Sequence, residues 1–571
     1  MSIITERETN YQEKNTQNAT TFNSNRKLIP TGYKLENGYL KVEKQAKEGT
    51  YWEEVTSTYL SIDSIYKDFE DDIHQVRLLL TDTLGEERLV VTDMENIVKT
   101  NDIISLSKYD TDIDQSNAMA ILKYLKSFRR EFAKEIPRES VIGRLGWFDG
   151  GFMLPYEYIT NKKSDLKFQP KTEGEQSLAE GFKVKGTSNS WFENVFSLIE
   201  DKPYVVAFVL GSLASIVLNK FSKIDPFIIE IAGSTSQGKT KALDVAISVW
   251  GNPDVLRDTW NGTKVAVEQK ASFLHSLPIF LDDTKKADDR LLEKAIYNFT
   301  NAKEKSRGGL KGSAKSRTWE NIMLSTGETK LTNIAKSGGV AGRVLPFHCS
   351  PLGGYNPDLA NNIENKTMKY YGAVGKEFAT FVQRMTENDI EQYEILFDGY
   401  RKQFESSSKG IGVISRLSKY MALLCVTADI VNRCFRKNIS VDQLEYIWSD
   451  MLENNEDVDK HEMSFNYVVE QCRRNTTKFA HEKGETLTNG YWGDWKRTDN
   501  EYTKEIAIFP SQLKELLVKE GYEVDTTLVE WKKKGYIKTG IKGNTKNVRL
   551  LSDNSQKKMI VLDISKVESG E

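Results

Sequence analysis

The sequence predicts an α/β core, preceded by an α+β domain and followed by a helical region and a small C-terminal unit. Three observations predict it. The stretch "GSTSQGKT" (233–240) lies between the apolar run Phe227, Ile228, Ile229 and a segment, "KALDVAISVWG", that reads as a helix. Strand and helix signals alternate from Trp191 to about Ser350, the pattern of a sheet covered by helices. A second apolar strand, "LPIFLDDT" (277–284), ends in the paired carboxylates Asp282 and Asp283.

In chain order, residues 1–25 are polar and rich in Asn and Thr, the composition of a flexible tail. Residues 26–190 form the N-terminal α+β domain. Its strand-like pieces, such as "QVRLLLTD", precede the helical "AMAILKYLKSFRREF", and a Gly-, Lys- and Ser-rich linker occupies 155–190. The core spans 191–350, a helical region 351–485, and the C-terminal unit 486–571. "YVVAFVLGSLASIVL" (204–218) is the most apolar stretch. It falls short of the roughly 20 residues a membrane helix needs and carries Gly and Ser, so it reads as a buried core helix. The first residues lack a basic region followed by an apolar one, so a cytoplasmic protein is expected. The four cysteines contain no CxxC pair, and the five histidines are scattered, which removes support for a zinc or disulfide framework. Net charge is −3, so any nucleic-acid partner has to be met by local basic patches.

Gly233, Gly238, Lys239 and Thr240 satisfy the spacing GxxxxGK[ST]. The glycines let the backbone amides of Ser234, Thr235, Ser236 and Gln237 turn toward phosphate oxygens. Lys239 reaches the outer phosphates of ATP, and the Thr240 hydroxyl ligates Mg²⁺. Ala242, Val245, Ala246 and Val249 give the following helix one apolar face. Glu230, inside the preceding strand, needs a polar partner. At the second strand Asp282 is expected to hold the Mg²⁺ shell, and Asp283 to orient or deprotonate the attacking water.

Four further features follow. "NAKEKSRGGLKGSAKSR" (301–317) sets six basic residues against one acid around glycines 308, 309 and 312, reading as a glycine-turned basic hairpin or loop. "NIMLSTGET" (321–329) is an apolar strand ending in Ser325, Thr326 and Glu328, positions suited to sensing the outer phosphate. "GGVAGRVLPF" (338–347) places Arg343 just before another apolar strand, and "GIGVISRLSKY" (410–420) places Arg416 near a helix start. Taken singly, each also fits a solvated loop, a core strand end or a surface arginine.

This order of motifs resembles an AAA+ ATPase. More closely, "GSTSQGKTKALDVAISVWGNP", "PIFLDD", "STGE" and "GGVAGR" resemble the MCM-like helicases encoded by staphylococcal cassette chromosomes and pathogenicity islands. The resemblance covers about residues 30–350 well and the remainder loosely. It implies a helical lid over 351–485 and a homo-oligomer, a hexameric ring, with ATP bound between subunits. It implies that Lys239, Thr240, Asp282 and Asp283 serve the nucleotide of their own subunit while Arg343 completes a neighbour's site. Arg416 becomes a lid arginine, acting in cis or in trans. The basic hairpin becomes a pore element gripping single-stranded or forked DNA through Lys311 and Lys315. The sensing role falls on Ser325 or Thr326, with Glu328 as an assistant. The chain departs from the MCM pattern in one respect, carrying Asp283 where a Glu is usual.

The C-terminal unit reads as helix (509–522), helix running into a strand (525–539) and Gly-turned hairpin (540–552), the order of a winged helix. From Asp525 to Arg549 there are seven basic and two acidic residues. Lys532, Lys533, Lys534, Lys542 and Lys546 fit neutralising DNA phosphates, which gives affinity without sequence readout; the same unit also fits a protein contact, and an origin duplex is the expected DNA partner. The expected function is an ATP-dependent, ring-forming DNA helicase that unwinds DNA to replicate a mobile genetic element. The alternative is an ATP-switched, origin-binding initiator that does not unwind. A small-molecule phosphotransferase would explain neither the basic hairpin nor Arg343.

Overall fold

The computed structural model describes residues 28–566 apart from 221–223, 261–263, 285–288, 304–307, 310–311, 314–315, 335–337, 408–411, 454–459, 486, 488–489, 499–500 and 541–542. These residues divide into two compact units. One takes in the described chain up to Gly143, with Tyr156–Tyr158 and Lys162–Lys171; the other holds Arg144–Pro155, Ile159–Asn161 and the chain from Thr172 on.

The first unit mixes strands and helices. Tyr33–Glu36, Tyr39–Ala46 and Gly49–Thr56 form an antiparallel sheet. A five-stranded mixed sheet runs in the order Lys167–Phe168, Arg138–Ile142, Leu60–Asp68, His74–Thr81, Glu87–Asp93. Val76, Leu78 and Leu80 alternate inward along one strand, and helix Ala118–Glu131 adds Ile121, Tyr124, Leu125 and Phe128 to the same core. The expected linker over 155–190 is not a plain loop. Lys167–Phe168 joins the sheet in parallel with Arg138–Ile142, and Thr172 with Glu175 forms a capping box that starts helix Glu173–Glu180.

The second unit contains a parallel sheet of five strands: β1 (Phe227–Ala232), β2 (Asp258–Thr259), β3 (Ile279–Asp282), β4 (Ile322–Gly327) and β5 (Val344–His348). Their spatial order is β2-β3-β4-β1-β5, every pairing parallel. Strand β1 is buried at all six positions, as a strand with both faces covered must be. The apolar stretch from 204 supplies helix α1 (Pro203–Ala214), buried from Tyr204 onward. It lies on helix α2 (Lys239–Ser248), where the Ser212 hydroxyl donates to the Ala246 carbonyl at 2.9 Å. Gly211 is held to glycine by Ile229, whose Cδ1 would stand 2.4 Å from an added Cβ.

Helices follow the sheet through the expected lid region: Pro357–Thr367, Ala373–Gln383, Glu387–Ser407, α3 (Gly412–Phe435) and Asp442–Glu453. The next helix, Lys460–Arg474, sits in sequence before the expected boundary at 486, yet Phe465, Val468 and Val469 share a core with Leu513, Leu517, Trp531 and Leu562. The C-terminal core therefore begins upstream of 486. Its further elements include Phe479–Ala480, Gly493–Asp494, Glu505–Ile508, helices Pro510–Lys519 and Val524–Lys534, Ile537–Lys538, and a hairpin of Lys546–Arg549 with Gln556–Asp563. Gln556–Asp563 also pairs with Glu505–Ile508 and Ile537–Lys538. The hairpin expected over 540–552 with a glycine turn is displaced: it turns over 550–555, a stretch that holds no glycine, between Lys546–Arg549 and Gln556–Asp563. Among the described residues no helix is long and apolar enough to cross a membrane.

Candidate nucleotide-binding site

Residues 233–238 leave the C-terminal end of β1 and enter α2. Ser236 (φ 61°) and Gly238 (φ 84°) both take left-handed backbone, which curls successive amides toward one point. Gly238 must lack a side chain for a second reason: a Cβ would lie 2.3 Å from Leu352 Cδ1. Gly233 is pressed against the exit of β5, where a Cβ would stand 2.7 Å from the Cys349 carbonyl oxygen. Ser234, Thr235 and Ser236 are exposed, and Gln237 is half-buried. The Lys239 ammonium folds back onto the loop, donating to the carbonyls of Gly233 (2.8 Å) and Ser234 (2.6 Å).

The structure brings the neighbouring strand ends to this loop. The Thr240 hydroxyl donates to Asp282 Oδ2 at 3.0 Å, and the Thr326 hydroxyl donates to Asp282 Oδ1. One carboxylate thus joins the phosphate loop, β3 and β4. Ser325 faces the other way, as alternation along a strand requires, and its fully buried oxygen accepts from the Trp260 indole at 2.9 Å. Of the two sensing candidates, only Thr326 is bonded to Asp282. Asp283 is half-buried and left-handed (φ 60°), a conformation an aspartate tolerates better than most residues. Glu328 follows β4 at the same edge of the sheet.

A hydroxyl and a carboxylate oxygen are hard donors of the kind Mg²⁺ takes, and Mg²⁺ draws its other ligands from phosphate and water. Thr240 and Asp282 fit that role. No group of three or more His, Cys, Asp or Glu suited to hold a metal alone occurs among the described residues.

Glu230 finds the partner its position demands. Both carboxylate oxygens accept from the Leu331 amide, at 3.1 and 2.9 Å, tying β1 to the segment after β4. Burial pushes this carboxyl up to about 8, against the smaller opposing pull of that amide and of Lys330.

Arg343 and Arg416 stand elsewhere. Arg343 precedes β5, whose first residue, Val344, pairs with Ile228, whereas His348 pairs with Ala232 beside the phosphate loop. Arg343 therefore occupies the opposite edge of the sheet from its own loop, a strand length of about 13 Å away. Its guanidinium lies over the Tyr297 ring at 4.7 Å. Arg416, exposed on α3, is at the same edge: a Cβ on Gly342 would lie 3.0 Å from its Cδ. Tyr420 anchors α3 there, donating to the Gly342 carbonyl (3.2 Å) and stacking on Phe227 with centroids 3.9 Å apart. Lys419 joins the arginines. Burial lowers its pKa first; Arg416 and Arg343 add to that, and Asp225 opposes it. Sequence reasoning missed Lys419, although its i, i+3 spacing from Arg416 places both on one helical face.

The DNA-contact candidates divide. Gly308–Gly309 pairs antiparallel with Gly312–Ser313, while Lys311 and Lys315 lie outside the described residues. Lys542 does too. Lys532 and Lys533 are exposed at the end of helix Val524–Lys534; Lys532 donates to the Gly543 carbonyl at 3.0 Å, and Lys533 pairs with Glu530 at 2.6 Å.

Residues 33–319 match a family model described as a domain of unknown function, DUF927. Residues 459–567 match one described as a Cch helix turn helix domain, starting at the helix whose core is shared with Trp531. Among solved structures the chain is similar to one described as "SCCmec type IV Cch - active helicase", with a TM-score of 0.66 and 18% identity, over 95% of this chain and 99% of that one. It also aligns with an apo structure of the NrS-1 C-terminal region, at a TM-score of 0.28 and 10% identity, over 87% of this chain and 95% of that one. No curated protein sequence matches. The sequence resemblance to cassette chromosome helicases is borne out, in the fold and in the C-terminal domain.

Proposed function

The chain belongs to the DUF927 family, and from that premise and its likeness in fold to a Cch helicase we propose that it is an ATP-driven, ring-forming DNA helicase. The observation that carries the proposal is the Asp282 carboxylate, bonded at once to Thr240 of the phosphate loop and to Thr326 of β4. That is the arrangement a nucleotide hydrolase needs to report the state of the outer phosphate to a neighbouring strand. The strand order β2-β3-β4-β1-β5 supports an AAA+ reading of the core.

In this reading Lys239 exchanges its loop carbonyls for the outer phosphates of ATP. Thr240 and Asp282 hold Mg²⁺, which supplies charge neutralisation on those phosphates. Asp283, at the same strand end, orients the attacking water and accepts its proton.

Arg343, Arg416 and Lys419 support an oligomer. Three cations converge at the sheet edge remote from their own phosphate loop, with the Asp225 carboxylate beside Lys419. In this reading the cluster meets the ATP phosphates of an adjacent copy. Arg416 thus acts in trans with Arg343. The basic hairpin grips DNA in the ring, and Lys532 and Lys533 contact duplex phosphates, for replication of a mobile element.

The test is ATP hydrolysis by the purified chain with and without single-stranded or forked DNA. Stimulation by DNA, abolished in Lys239→Ala, is the expected result. Hydrolysis indifferent to DNA would favour an ATP-switched initiator and overturn the motor.

A further inference from the structure

The N-terminal unit carries a cleft that the nucleotide chemistry does not use. It lies between the segment 97–102 and helix Ala118–Glu131, with a volume of about 1220 Å³. The helix builds one wall. Ile121, Tyr124 and Phe128 turn into the core, which leaves Met119, Lys123, Lys126 and Arg130 on the outward face at i, i+4, i+7 and i+11. That row runs about 16 Å along the helix axis.

Two features of the lining are informative together. The first is charge: Lys99, Lys123, Lys126, Arg129 and Arg130 against the single acid Asp102. Lys99 is already bridged to Glu95 at 3.0 Å and Asp102 at 3.8 Å, whereas Lys123, Lys126 and Arg130 make no ion pair among the described residues. The second is an apolar surface between the cations. Val98 is 60% exposed and Met119 55% exposed, on opposite walls, and Ile97 and Leu125 lie buried beneath. A cationic patch alone would do for phosphates. Aliphatic groups held open between cations have nothing to offer a phosphodiester, and among the described residues no aromatic ring lines the cleft on which a base could stack.

We propose that this cleft is a docking site for an acidic amphipathic helix of a partner protein. The aliphatic face of that helix would enter between Val98 and Met119, and its carboxylates would pair with Lys123, Lys126 and Arg130. The wall's i, i+4, i+7 spacing matches the period of an entering helix, and the three unpaired cations complement its charge. The site is independent of the ATP reading, since no residue of the cleft belongs to the phosphate loop or its strands.

The experiment uses the full chain and a fluorescein-labelled peptide of about 15 residues, with Leu at i, i+3, i+4 and i+7 and Glu elsewhere. Its controls are a scrambled peptide of the same composition and a labelled oligothymidine. Fluorescence anisotropy should show saturable binding of the amphipathic peptide, at least tenfold tighter than of the scramble. Lys123→Gln/Lys126→Gln and Val98→Gln/Met119→Gln should each weaken it at least tenfold. All four are exposed positions, and unchanged circular dichroism with unchanged ATP hydrolysis would establish that the variants fold. Equal binding of peptide and scramble, or no binding, would overturn the proposal. So would displacement of the peptide by oligothymidine with loss in the lysine variant alone, which would identify a nucleic-acid surface.

Discussion

At Asp282 two hydroxyls meet one carboxylate, and the residues around it make separable predictions. Thr326→Val removes a donor to Asp282 while nearly keeping the side-chain volume at this fully buried position of β4, so kcat should fall at least tenfold. Ser325→Ala leaves the buried Trp260 indole without its acceptor, at a cost of about 1–3 kcal/mol in stability, and should alter kcat much less. Stability and steady-state kinetics on the two variants check this pair. Glu230 makes a pH prediction. Its folded pKa is raised, so below its ordinary value near 4.5 the carboxyl is protonated in both states and costs nothing. As pH rises the unfolded carboxyl ionises first, and stability is lost until Glu230 itself ionises near 8. Glu230→Gln should therefore gain on the parent through that window, by at most about 1.4 kcal/mol per pH unit, in denaturant titrations at several pH values. A parallel response of parent and variant would contradict it.

At the scale of elements, the phosphate loop depends on two glycines with different duties. Gly238→Ala meets both a left-handed backbone and the Leu352 side chain, so it should abolish nucleotide binding measured by a fluorescent ATP analogue. Local elements were legible because their signals are local. The buried run of β1, the phosphate loop and helix α2 carry their pattern in consecutive residues, as do the C-terminal helices. The choice between Ser325 and Thr326 was not legible. Adjacent strand residues point to opposite faces, and only the positions of Trp260 and Asp282 say which face is which. Helix Glu173–Glu180 was hidden for another reason: a Gly- and Lys-rich composition masked a capping box spanning Thr172 and Glu175. The placement of helix Lys460–Arg474 in the C-terminal core rests on Phe465 meeting Trp531, a contact across more than sixty residues that no local pattern reveals.

For the whole molecule, the account turns on which edge of the sheet each group occupies. Arg343 and Arg416 stand away from residues 233–240 of their own chain, so in the proposed trans arrangement a working site would draw on two copies. Lys239→Ala and Arg343→Ala, each inactive alone, should regain part of the ATP hydrolysis when mixed, because some interfaces then pair an intact loop with an intact arginine. Failure to recover activity in a mixture shown to co-assemble would contradict action in trans. The central claim is that hydrolysis drives strand separation, and ATP-dependent displacement of a labelled strand from a forked DNA duplex tests it most directly. The account predicts displacement by the parent chain and none by Lys239→Ala. Active ATP hydrolysis with no displaced strand on any fork would contradict it.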